Sequence, residues 1–429
     1  MTDNDDINAA PHGVFPAPVQ NPDLSAAWRY GWLVWWVATL ALLVTSDVGS
    51  GVQALTQTVP NNERLQFNSR EQVLLDASVF SSVKELWDAG SKPLAIFVVI
   101  TSIAWPYIKL LLTLYAWIRP IRNAVRRERL LVVLDVLGKW SLADVVVFVV
   151  IMVVFRERIP LGAGHLEVWI VAQWGLFGFV AASLSSLLAT HVALYFHRRI
   201  VYNTSIDSSS DNPTSQSVAS HMSSGTRLAV SLLWVIALGA YMVGCILYTF
   251  QVTNTQNGVD RGTKSFSIAS IGRALPDAKR DYEPEGGLRF FQILWFLLGL
   301  GMPGLLLLLV MVVLYQNMTM ARLRTWFLAA EIALAWSGCE VLVLSVVLAI
   351  REIPTFGDGL IETGCNSCYV VETDFLTVPV LLWVVGTVAT LAVTAMVLRA
   401  AHHQAYPEVT RAKPSSAHRN GEEEEAASS

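Results

Sequence analysis

The stretch "KWSLADVVVF", residues 139–148, sets an acid, Asp144, at the head of an unbroken apolar run. The same spelling returns at residues 335–344 as "AWSGCEVLVL", with Glu340 in place of the aspartate. The surroundings of both are apolar in long blocks, not in the alternating or amphipathic patterns of a soluble protein. Of the 429 residues, 53% are hydrophobic and only 15% charged, which places the chain among integral membrane proteins. A helical span needs roughly 20 apolar residues. Eight blocks come close to that length, at approximately 28–45, 93–117, 141–155, 167–196, 228–250, 288–315, 332–350 and 376–398. They read as helices, because the strands of a membrane barrel are about ten residues long and alternate their faces. The expected fold class is therefore all-α, with eight transmembrane helices.

Outside the spans the composition changes. Residues 1–25 form a polar tail without a cleavable signal, so the first span is expected to serve as the targeting signal. Residues 201–226 form a serine-rich linker near the midpoint, and 401–429 an acidic tail ending in "GEEEEAASS". Between them lie two membrane units, 26–200 and 227–400. Basic residues in short loops set orientation. Arg119, Arg122, Arg126, Arg127, Arg129 and Lys139 lie between the second and third spans, so that loop and both termini are expected on the cytosolic side. Asn203-Thr-Ser and Asn317-Met-Thr match the glycosylation pattern but fall on that side, so neither is expected to carry sugar.

The two units share their landmarks. Trp140-Ser141-x-x-Asp144-Val145 recurs as Trp336-Ser337-x-x-Glu340-Val341, and Pro106 recurs as Pro303, at offsets of 196 and 197 residues. Each unit runs span, long external loop, proline-bearing span, short basic loop, W-S-x-x-acid span, external turn, final span. The expected architecture is two tandem four-helix repeats, inserted in the same orientation and related by an axis along the membrane normal.

Two readings of the acids follow. Ser-x-x-Asp and Ser-x-x-Glu spell capping boxes, which would fasten a helix start at the cytosolic surface, with residues 126–139 as an interfacial amphipathic helix. If 130–155 is instead one continuous helix, Asp144 lies near mid-membrane, where a charge is expensive. Lys109, three residues after Pro106 and ~12 Å from the cytosolic end of its span, needs a partner or water. An ion pair between Lys109 and Asp144 is expected, structural or on a substrate or proton pathway. The equivalent of Lys109 in the second unit is Leu306, which leaves Glu340 without such a partner. His191 reads as a packing residue and Glu331 as part of an interfacial segment.

The P-x-x-K of Pro106 to Lys109 and the G-K-W-S-x-x-D-V that opens the third span resemble the paraquat-inducible protein A family of bacterial inner-membrane proteins, most strongly over 79–157. The resemblance implies paired halves, partners bearing lipid-tunnel (MCE) domains, and movement of lipids or other hydrophobic molecules between membranes. The resemblance also implies the zinc-ribbon Cys-x-x-Cys pairs that bacterial members usually carry on cytosolic segments. This chain has Cys245, Cys339, Cys365 and Cys368, and its one CxxC falls in an external loop. A structural zinc site needs four ligands, so no metal or other cofactor is expected. Cys365 and Cys368 are expected as a disulfide if that loop faces an oxidising compartment, with free thiols the alternative.

No nucleotide-binding loop, H-E-x-x-H pattern or nucleophile elbow occurs. An enzyme is not expected, nor a nucleic-acid partner. Three functions stay open: a transporter or transport subunit for membrane lipids and similar molecules, a proton-coupled carrier of a small solute, and a scaffold for a partner protein.

Overall fold

The computed structural model describes residues 17–20, 24–60, 72–88, 90–120, 124–161, 164–202, 217–256, 259–278, 286–361 and 369–405. Among them are eight helices long and apolar enough to cross a membrane, so the protein is a multi-pass helical membrane protein. Spans 1 to 4 are Ala26–Val48, Lys92–Ile118, Ala124–Val154 and Trp174–Val201, and spans 5 to 8 are Ser224–Ile246, Gly286–Tyr315, Met320–Thr355 and Thr377–Ala405. Val34, Val37 and Val44 on span 1 and Leu232, Val235 and Ile236 on span 5 are exposed, as a lipid-facing surface requires.

The prolines act on the helices in the same way in both halves. Span 2 widens to a π-helix over Val99–Ala104 and returns to α at Trp105, one residue before Pro106. Span 6 widens over Leu297–Gly301 and returns at Met302, one residue before Pro303. A proline ring crowds the carbonyl four residues earlier and supplies no N–H, and a widened turn accommodates both defects without breaking the span.

The W-S segments behave differently. Span 3 is continuous from Ala124, tightening to a 3₁₀ turn over Lys139–Leu142. Residues 126–139 are thus no surface helix, and Asp144 caps nothing. Arg127, Glu128, Leu131, Leu134 and Asp135 are buried, because this stretch packs inside the bundle against spans 4 and 7. Span 7 does break: its first helix ends at Trp336, Ser337 is extended, and a second helix starts at Cys339. There the Gly338 N–H bonds to the Leu298 carbonyl of span 6 at 3.0 Å.

The loops at one end hold strands that the all-helical reading left out. β1 (Val52–Pro60), β2 (Gln72–Ala77), β3 (Glu157–Leu161) and β4 (Gly164–Ala172) form an antiparallel sheet in the order β2-β1-β4-β3. β5 (Phe250–Gln256), β6 (Val259–Phe266) and β7 (Tyr369–Phe375) form a second in the order β6-β5-β7. In each, the strand leaving the half's first span pairs with the strand that leads into its last span. Short helices, Val79–Asp88 and Ile268–Ala274, follow the hairpins, at the two amphipathic stretches of the long loops.

First and last spans of each half cross closely. A Cβ on Gly386 would lie 2.2 Å from the Tyr241 backbone nitrogen, and one on Gly244 2.6 Å from the Trp383 backbone. In the first half a Cβ on Gly175 would come within 2.7 Å of the Ser50 carbonyl oxygen. Small residues let helix backbones approach where no hydrophobic effect drives them together. One inter-span bond also recurs: Trp36 donates to the Leu110 carbonyl, and Trp234 to that of Leu307, both at 2.9 Å. The principal core joins the halves at the sheet end, where Val145 and Met152 belong to one cluster with Leu294, Leu342 and Val346.

Candidate functional site: a buried polar layer at the seam

Depth along the spans decides which charges can meet. Lys109 lies about nine residues, or ~13 Å, from the end of span 2, and Asp135 about eleven residues, or ~16 Å, from the start of span 3 at the same end of the bundle. Asp144 lies ~30 Å from that start. Lys109 is fully buried and donates to the Ser186 hydroxyl at 3.1 Å. The carboxylate that acts on it electrostatically is that of Asp135. The expected Lys109–Asp144 pair is not formed. The cause is the early start of span 3, which carries Asp144 a further two turns away and brings Asp135 level with the lysine.

Asp144 is buried within its helix and hydrogen-bonds Ser102 in the π-segment of span 2, while Asp47 acts on it from the end of span 1. Asp47 is itself buried and accepts from the Tyr107 hydroxyl at 2.7 Å. A second group lies nearer the opposite end. Asp135 Oδ2 is 2.9 Å from His191 Nδ1, and Trp336 of span 7 donates to His191 Nε2 at 3.0 Å. His191 is thus a bridging group, not a packing residue.

Glu340 has a partner after all, from the other half. Lys139 Nζ lies 2.5 Å from Glu340 Oε1, 2.7 Å from the Ser337 carbonyl and 3.0 Å from that of Leu334. The break in span 7 leaves the Ser337 carbonyl without a helical partner and the Leu334 carbonyl with only a long 3.3 Å bond from the Ser337 N–H, and the ammonium reaches both with its donors. Ser337 also approaches Cys339, whose thiol reaches Glu340 at 3.3 Å. Ser141 is buried, and Trp140 closes the 3₁₀ turn. Further toward the basic end, Arg198 binds Glu128 at 2.8 Å and holds Glu331 through both terminal nitrogens. Glu331 is therefore half-buried and held in a network, not part of an interfacial segment.

Two recesses flank the Lys139 layer. On the sheet side is a narrow apolar cleft of about 40 Å³ between Val145, Val146 and Val149 of span 3 and Leu294, Leu298 and Leu342 of spans 6 and 7. On the basic side is a roomier cavity of about 430 Å³ among spans 3, 4, 7 and 8. Among the described residues no three His, Cys, Asp or Glu side chains converge as a metal site. Cys245 and Cys339 are free and buried, and Cys365 and Cys368 lie outside the described residues.

These features define a class: a polytopic helical membrane protein with close Lys–Glu and Arg–Glu contacts between its halves. The model of the family described as Paraquat-inducible protein A matches residues 68–193, so that segment is similar to this family. The match takes in Pro106, Lys109, the whole W-S-x-x-D segment, Asp135 and His191, hence most of the polar layer of the first half. No curated protein and no solved structure matches the chain.

Proposed function

We propose that the protein moves lipids or similar hydrophobic molecules, as a transporter or as the membrane subunit of a transport complex. The observation that carries this reading is the seam: its cleft draws walls from both halves that are apolar apart from Lys139 at one end. The two halves are read as tandem copies, so the seam is an interface between like units whose separation would open it. The Lys139–Glu340 pair with its two carbonyls is then the latch. The basic end is read as cytosolic, and the sheets as the opposite face, where a partner with lipid-tunnel domains would dock. Exchange of a labelled lipid between donor and acceptor vesicles, with the protein reconstituted in one, tests the reading. Exchange no faster than in protein-free vesicles rejects it.

Proton coupling is the second reading, favoured by the number of buried ionisable groups in the first half: Asp47, Lys109, Asp135 and Asp144. Ionisable residues at membrane depth are functional candidates by default. An imposed pH gradient should drive internal pH change in proteoliposomes, and Asp144→Asn should slow it. Equal rates in the two exclude the pathway. Stable co-purification of a partner without any flux would favour a scaffold instead.

A further inference from the structure

The cavity on the basic side of the latch combines two chemistries. Its inner walls are apolar, with Val132, Val136, Leu194, Leu334 and Leu398 among the lining residues. Its remaining lining includes Arg129, Arg399, His402 and His403 from spans 3 and 8. The two carboxylates that also line it are engaged, Asp135 with His191 and Glu331 with Arg198. Arg129 and Arg399 are exposed and make no ion pair among the described residues. The recess therefore offers uncompensated positive charge at the mouth and hydrocarbon surface within. Asp135 and Val136 line it one turn before Lys139, and Leu334 lines it just before Ala335 and Trp336, which line the narrow cleft. The two recesses are stacked along the seam, with the Lys139–Glu340 latch between them.

We propose that this cavity binds an anionic amphiphile, its acidic headgroup between Arg129 and Arg399 and its chain laid along Val132, Leu194 and Leu398 toward the latch. Basic pockets between transmembrane helices select acidic headgroups by charge, while their walls hold the tail. The site rests on the reading of the seam as a lipid path, and names the headgroup charge that path accepts.

The test is native mass spectrometry of the full chain in mixed micelles containing phosphatidylglycerol or phosphatidylcholine of the same acyl length. The wild type should retain the anionic lipid in preference by roughly thirty-fold, the effect of two arginines near a membrane surface. R129Q/R399Q should abolish the preference and leave the melting temperature unchanged, because both side chains are exposed. Val132→Trp should displace both lipids by filling the wall, which charge attraction at a surface would not predict. Equal retention of the two lipids by the wild type, or an unchanged preference in the double arginine variant, overturns the proposal. So does competition by millimolar inorganic phosphate, which would make the site one for the free anion. Binding is read without transfer, so a protein that binds selectively but moves nothing would refute the transport reading and leave this one standing.

Discussion

Breaking the latch from either side should cost more than removing it. Lys139 is 2% exposed, and all three of its N–H donors are used, on Glu340, Ser337 and Leu334. Glu340→Gln keeps the shape but leaves a buried ammonium with two carbonyls and no counter-charge. Losing one partner of a buried pair costs ~3–5 kcal/mol. The Glu340 side chain keeps 18% exposure and the carbonyls remain, so the expected cost is near ~3 kcal/mol. Lys139→Met should cost about as much, since it strands the carboxylate and the Ser337 carbonyl. The double variant Lys139→Met, Glu340→Gln leaves no charge to compensate, and its cost should fall short of the sum by ~3 kcal/mol. Reversible unfolding in mixed micelles, followed by helical content, gives the four free energies of the cycle. Additivity within about 0.5 kcal/mol would show that the two groups do not act as a pair.

Gly386→Ala should destabilise the second half by more than ~2 kcal/mol in the same unfolding measurement, because the new methyl meets the backbone of Tyr241, which cannot swing aside. Gly31→Ala, inside the first span with nothing within 4 Å of its added methyl, should not destabilise and should gain up to ~1 kcal/mol from helix propensity. Gly138→Ala would put a methyl 2.4 Å from Lys109 Nζ and 2.8 Å from Leu187, so it should push the ammonium out of its site near Ser186 and lose ~1–3 kcal/mol, a loss that Lys109→Met should largely relieve. In microsomal expression, Asn203 and Asn317 should stay unmodified, whereas an acceptor site inserted at 61–71 should be glycosylated; the opposite pattern, read as a gel shift, would invert the topology.

The spans were legible because each hydrophobic block is long enough to cross hydrocarbon, and the landmark prolines and W-S pairs set their order. The short helices at 79–88 and 268–274 were legible too, from their amphipathic spacing. The sheets were not: β1 pairs with β4 and β5 with β7 across more than 100 residues, and such partners leave no trace in a local window. At the site, Lys109 and Asp144 stand out as charges in apolar runs, and both are buried. Their pairing was misjudged because it hung on the start of span 3, which the charged stretch "RRERLLVVLD" hides by resembling a surface helix. Asp135 closes that same stretch and carried the same signal as Asp144. Lys139 was read as a loop residue because its acceptors lie almost 200 residues away, on carbonyls at a helix break. A break at Ser337-Gly338 is suggested by the glycine, but its partner is set only by packing.

The central claim is that the seam between the two halves accommodates a hydrocarbon chain. A density map of the full chain in lipid nanodiscs addresses it most directly. Elongated density running from Arg129 and Arg399 past the Lys139 layer toward Val146 and Leu298 is the expected result. Well-ordered side chains closing the seam on both sides of that layer, with no density between them, would contradict it.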